Sequence, residues 1–234
     1  MIGTLLNIAT VLAGSSLGLL FGARLPERVR RTVVVGLGLF VLAYGVSIFL
    51  KSQNQLVVLG SLLIGALLGE WWKIEDGFHK LGEILEARFA GKDKGTGRFL
   101  RGFLTASLVF CIGPIAILGS IQDGLTGDYK MLAIKSVLDG FASLAFASTL
   151  GVGVMFSALV ILVYQGGISL LAHQLNTVIT PAMTAEMTAA GGVLLMGLAI
   201  SSLLEIKPIR VASFLPALVI APLIVAILAY FGIK

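Results

Sequence analysis

A chain of 234 residues that is 57% hydrophobic and only 12% charged, with a mean hydropathy of +1.02, is not an ordinary soluble domain. Its formal charge of +5 would suit nucleic acid in a soluble protein, but here the basic residues lie between long apolar runs, where they set membrane orientation. The single cysteine, Cys111, excludes an internal disulfide and a cysteine-built metal site, and reads as a small apolar core residue.

Runs near the roughly 20 apolar residues that cross a hydrocarbon core of about 30 Å predict spans. They fall at about 2–23, 32–50, 55–72, 99–120, 131–150, 152–172, 184–204 and 209–232. The first is expected to remain as a span, because no basic segment precedes it and no small-residue cleavage site follows. It carries Asn7 and the triplet Gly14-Ser15-Ser16, and a basic loop with Arg24, Arg28, Arg30 and Arg31 comes next. After the third span, Ile74, Phe78, Leu81, Leu85 and Phe89 recur at helical spacing against a charged face. This predicts an amphipathic helix on the membrane surface, with Trp71 and Trp72 in the aromatic belt and anionic lipid as a partner. A Gly-rich linker, GKDKGTG, closes the segment.

The fourth span contains FCIGPIAILGSIQDG, residues 110–124. Proline removes a backbone donor and clashes with the preceding turn, so the helix is expected to break or kink at Gly113-Pro114. At membrane depth such a break is tolerated where it is buried in protein or lines a wet cavity. Gln122 and Asp123 follow, either as an outer-loop turn or as one wall of an outward-facing vestibule. In the fifth span Lys135 and Asp139 are one turn apart and can pair. Lys135 can also snorkel outward, whereas an unpaired carboxylate at the depth of Asp139 costs about 3 kcal/mol or more. The pair either stitches helices together or belongs to an ion or substrate pathway. The joint at 150–153 has no charge to mark a loop, so a re-entrant segment there would reduce the count to seven. The sixth span holds Gln165, Gly166 and Gly167 and ends near His173, a boundary residue. Glu186 opens the seventh as a helix-start carboxylate or a further pathway group.

Orientation follows from the basic residues. With the amino terminus outside, Arg24 to Arg31, the basic cluster from Lys73 to Arg101, and Lys207 with Arg210 all face inside. Only Lys51, Lys130 and Lys234 are left outside, so eight spans with both termini outside satisfy the positive-inside rule. A shift of 156 aligns TVVVGLGLFVLAYGVSIFLK with TAAGGVLLMGLAISSLLEIK without a gap, pairing Thr32 with Thr188, Gly36 with Gly192 and Lys51 with Lys207. A shift of 152 sets AGSSLGLL beside QGGISLLA. Spans one to three then repeat as six to eight in inverted orientation, and glycine interruptions at matching places, 14–16 and 166–167, point to a site at the membrane midplane.

The central motif, together with MIGTLLNIATVLAGSSLGLLFG and RLPERVRR, resembles the prokaryotic membrane family known as domain of unknown function 554 across essentially the whole chain. The resemblance implies a bacterial polytopic inner-membrane protein and brings no catalytic residue with it. The residues carry no H-E-x-x-H, phosphate-binding loop or nucleophile elbow, and no serine has an evident histidine partner, so no enzyme, cofactor or metal site is expected.

The reading is an all-α, multi-pass protein of about eight transmembrane helices: two inverted three-helix repeats (about 1–72 and 152–232), a central helix pair (99–150) and a surface helix with its linker (73–98). It is expected to act as a secondary transporter of a small solute or ion, as a homo-oligomer with no nucleic-acid partner. Its pathway would draw on Asp139, Lys135, Asp123, Gln122, Gly113, Pro114, Glu186, Gln165, Gly166, Gly167, Gly14, Ser15, Ser16 and Asn7. An ion channel on the same repeats and a scaffold that binds partners through the basic surface helix are the alternatives.

Overall fold

The computed structural model describes residues 1–22, 26–78, 80, 84 and 97–231. Among them there is no β-strand. The helices are α1 (Ile2–Gly22), α2 (Glu27–Phe49), α3 (Gln55–Trp71), α4 (Arg98–Cys111), α5 (Pro114–Thr126), α6 (Lys130–Leu150), α7 (Ser157–Leu170), α8 (Ala172–Val178), α9 (Pro181–Leu198) and α10 (Ala217–Tyr230). A 3-10 turn at Val152–Phe156 leads into α7, a π turn at Ala199–Leu203 extends α9, and a 3-10 turn at Val211–Phe214 precedes α10.

Among the described residues, six stretches are long and apolar enough to cross a membrane: Ile2–Gly22, Arg31–Phe49, Lys130–Leu150, Val152–Leu170, Pro181–Leu203 and Val211–Tyr230. α4 and α5 pass that test together but are bent by 62°, and α3 is a shorter apolar helix. The exposed row Leu56, Leu59, Leu63 and Leu67 on α3 ends at exposed Trp71 and Trp72. Ile134, Val137, Leu138 and Phe141 make a similar exposed row on α6. Contiguous apolar rows of this kind suit lipid, not water. The expected surface helix starts as helix at 74–78, and most of it, at 81–83 and 85–96, lies outside the described residues, as do Arg24 and Lys234.

Local chemistry explains the boundaries. Pro114 sits at the first position of α5, where its missing N–H is not needed, and Gly113 before it is extended (φ −94°, ψ 146°). The expected break is therefore a clean stop and restart. At the uncharged joint Gly151 adopts φ 84° and ψ −162°, a conformation open to glycine, and the chain reverses there. Thr180 caps α9 by accepting from Met183 N at 3.2 Å, with Pro181 at the first turn. By contrast, α1 and α7 run unbroken through 14–16 and 165–167, so those glycines do not interrupt their helices.

The chain folds as two compact units that do not follow sequence order. The first comprises Met1–Leu37 and Leu81–Thr177, the second Gly38–Lys80 and Val178–Lys234. In the first, α1 and α6 run parallel and in close contact. Gly3 lies against Leu132, Gly14 against Gly140, Gly18 against Leu144 and Gly22 against Ser148. Ser143 Oγ donates across the interface to the Val11 carbonyl at 3.2 Å. Small residues at this spacing let helix backbones meet where side chains would hold them apart. The broken helix α4–α5 runs against α6, with Gly102 at Leu150 and Gly119 at Leu132, and along α7 and the 3-10 turn before it, with Gly102 at Val154 and Gly124 at Ser169. It follows that α7 is antiparallel to α1.

In the second unit α3 is antiparallel to the segment leading into α10, with Gly65 on Ala217 and Gly69 on Ser213. The C-terminal part of α2 crosses α9 at a reciprocal Gly45–Gly192 contact. Val58, Ala189, Ala190 and Ala221 form a small-residue core. Arg210 bridges Glu70 at 2.9 Å and Asp76 at 2.8 Å at one end.

Candidate functional site

In the first unit, polar side chains from three helices meet. Lys135 and Asp139 are both more than nine-tenths buried on α6, and the Lys135 ammonium bonds Asp139 Oδ2. Lys135 does not snorkel, because a desolvated carboxylate one turn away offers a stronger partner than distant headgroups. From α1, Asn7 Nδ2 donates to the same Oδ2 at 2.9 Å and to Gln165 Oε1 of α7 at 3.0 Å. The Phe110 ring of α4 lies 6.0 Å from the Lys135 ammonium, and Cys111 is within electrostatic range of both charges. The stop at Gly113 therefore falls beside the ion pair.

A carboxylate only accepts hydrogen bonds, so Asp139 dictates which way the Asn7 amide points. Asn7 must present its NH₂, and that NH₂ in turn fixes the Gln165 carbonyl toward α1. One charge thus orients two amides.

Asp123 is buried in the same unit. Its Oδ2 accepts from Gly3 N at 3.1 Å, and its Oδ1 lies 3.1 Å from the Met1 amino group. Gly3 and Asn7 are four residues apart, so Asp123 and Asp139 address α1 at points roughly 6 Å apart along its axis.

Gln122 Nε2 donates to Asp128 Oδ2 at 3.3 Å and holds the turn after α5. Ser16 is exposed and bonds the Leu12 carbonyl within its own helix, while Ser15 is buried. Gly14 serves the α1–α6 contact, Gly166 faces Met1 and Thr4, and none of the described residues packs within 4 Å of where a Gly167 side chain would be. Glu186 belongs to the second unit, where Oε1 accepts from Gln53 N and Asn54 N at 2.7 and 2.9 Å and Oε2 from Ser52 Oγ at 2.7 Å. Thr4, fully buried one turn before Asn7, was not among the expected residues. Its signal is the spacing Thr4, Asn7, Val11, Gly14, Gly18, which marks one face of α1.

A bundle of membrane-length apolar helices with a buried ion pair beside a broken helix defines an integral membrane protein of the polytopic α-helical class. Within that class the chain belongs to the family described as Protein of unknown function (DUF554), which matches residues 2–226. It is 32% identical over 239 residues to the uncharacterized membrane protein YdfK of Bacillus subtilis (strain 168), covering 100% of both chains. It is 33% identical over 236 residues to the uncharacterized protein YqgA of Escherichia coli (strain K12), covering 99% of each. No solved structure matches the chain.

Proposed function

We propose that the protein is a secondary transporter of a small solute or ion, with the Lys135–Asp139 pair at its centre. The observation that carries this reading is the pair itself: two opposite charges deep among apolar helices, bridged by Asn7 to Gln165 and set beside a helix break. Intramembrane charges are costly and mark ion and substrate pathways. A cation reaching Asp139 competes with Lys135 for Oδ2. Occupancy therefore adds one positive charge to a neutral site, which favours a different packing of the helices around it.

The finer architecture belongs to the same proposal: eight crossings in a bacterial inner membrane, both termini outside, and spans one to three repeated as inverted spans six to eight. Helix directions support it within each unit. In the first, crossings one and five run together against four and six; in the second, three opposes eight and two opposes seven. The protein works without enzymatic chemistry, with anionic lipid at its inner face and as a homo-oligomer.

The test is tracer flux of sodium, rubidium and small organic cations into liposomes holding the full chain. We expect saturable flux of at least one probe, lowered tenfold or more in Asp139→Asn, a variant that keeps shape and removes charge. The double change Lys135→Met with Asp139→Leu restores packing without charge. A double variant that is stable and fully active would refute the pathway role.

A further inference from the structure

Along the first two turns of α1, polar atoms are left over in a pattern. Asp123 takes the Gly3 amide and Asp139 takes Asn7 Nδ2. Beside and between them, Thr4 Oγ1, Asn7 Oδ1 and Gln165 Nε2 have no hydrogen-bond partner among the described residues, although Thr4 and Asn7 are fully buried and Gln165 is 1% exposed. Buried polar atoms in native proteins are satisfied, and where no protein partner exists ordered water does it.

Their placement follows from chemistry. Because Asn7 must turn its NH₂ to the carboxylate, its Oδ1 faces away as a free acceptor, and because Gln165 turns its Oε1 to Asn7, its Nε2 faces away as a free donor. Thr4 adds a hydroxyl on the same face of α1. A side-chain carbon added to Gly166 would make ordinary contact with three carbons, Met1 Cε at 3.4 Å, Thr4 Cγ2 at 3.8 Å and Leu162 Cδ1 at 3.9 Å, so that spot is apolar and the water belongs beside the polar atoms instead. One turn beyond Asn7, fully buried Val11 occupies this face of α1 with an apolar group.

We infer that the α1–α7 interface holds a file of ordered water joining Asp123 to Asp139, and that this file delivers protons to the Lys135–Asp139 pair. The inference rests on the proposed transport role and names its coupled ion as the proton. In each hop an O–H bond of one water breaks as the next forms. The proton ends on the Asp139 carboxylate, which loses its charge, and Lys135 keeps its own proton and is released from Oδ2. No electron is exchanged. Among the described residues, titratable groups near this route include the Met1 amine on α1, Cys111 on α4 and Tyr164 on α7, with Tyr164 in electrostatic range of Cys111.

Two measurements on the full chain in lipid bilayers test it. Water-edited solid-state NMR should show magnetisation passing from water to the Gln165 side-chain amide as fast as to exposed amides. In liposomes loaded with a pH-sensitive dye, proton uptake should slow tenfold or more when Thr4→Val is combined with Gln165→Leu, which removes the hydroxyl and amide at similar volume. The NMR transfer is read on the wild-type chain, so it tests the water file even if the double variant folds poorly. No water transfer to Gln165, wild-type uptake in a folded double variant, or a wild-type protein that moves no protons would each overturn the inference. Tracer-cation flux that depends on Asp139 but occurs without proton movement would overturn it and leave the transport reading standing.

Discussion

Glu186 and Asp139 are both buried carboxylates on apolar helices, yet their surroundings ask different things of them. Glu186 accepts two backbone amides and one hydroxyl, all from residues 52–54 of its own unit, so it anchors the turn between α2 and α3. Asp139 accepts from a cation and an amide that also serves another helix. Replacing Glu186 with Ala strands the Gln53 and Asn54 amides, and denaturant unfolding should show a loss of about 2–4 kcal/mol with flux per folded molecule unchanged. Glu186→Gln keeps one acceptor oxygen and should lose less. At this scale the sequence exposed only what is local. The Lys135–Asp139 spacing of four residues is legible by eye, whereas the contact from Asn7 to Gln165 spans 158 positions and needs the fold. The role of Glu186 was hidden for the same reason, since its partners lie 132 to 134 residues earlier.

Glycine does two jobs among the helices, and substitution separates them. A side chain on Gly14 would run into the Gly140 carbonyl, a backbone atom that cannot yield, whereas none of the described residues packs within 4 Å of a side chain on Gly167. Gly14→Val should therefore cost about 1–3 kcal/mol through overpacking between α1 and α6. Gly167→Ala should be neutral or gain up to about 1 kcal/mol from helix propensity. Thermal unfolding in one detergent compares them directly. The stop at Gly113-Pro114 was readable because proline physics is local. The continuity of α1 through Gly14-Ser15-Ser16 was not, because a glycine pattern alone does not say whether the helix breaks or merely lets a neighbour approach; the presence of α6 against that face decides it.

The overall arrangement rests on orientation, and two aligned lysines can test it. Lys51 and Lys207 occupy matching positions under the 156-residue shift, both are exposed, and an inverted repeat puts them on opposite sides of the membrane. With Cys111→Ala as background, Lys51→Cys should react with an impermeant thiol reagent in intact cells, and Lys207→Cys only after lysis. Labelling of both from one side would remove the inverted repeat. Composition and hydropathy made the all-helical membrane class plain. They could not reveal that each unit draws on distant stretches of the chain, because lipid-facing and protein-facing apolar residues look alike in sequence. The parallel docking of α1 on α6 also has a kinetic side. Asn7 and Asp139 are 132 residues apart, and at synthesis rates of roughly 5–20 residues per second the ribosome needs on the order of 10 s to supply the partner. During that interval the first helix waits in the membrane with an unpaired amide and a bare glycine face, so its early companion must be the insertion machinery or lipid. A slowed elongation rate lengthens that exposure before the unit can close.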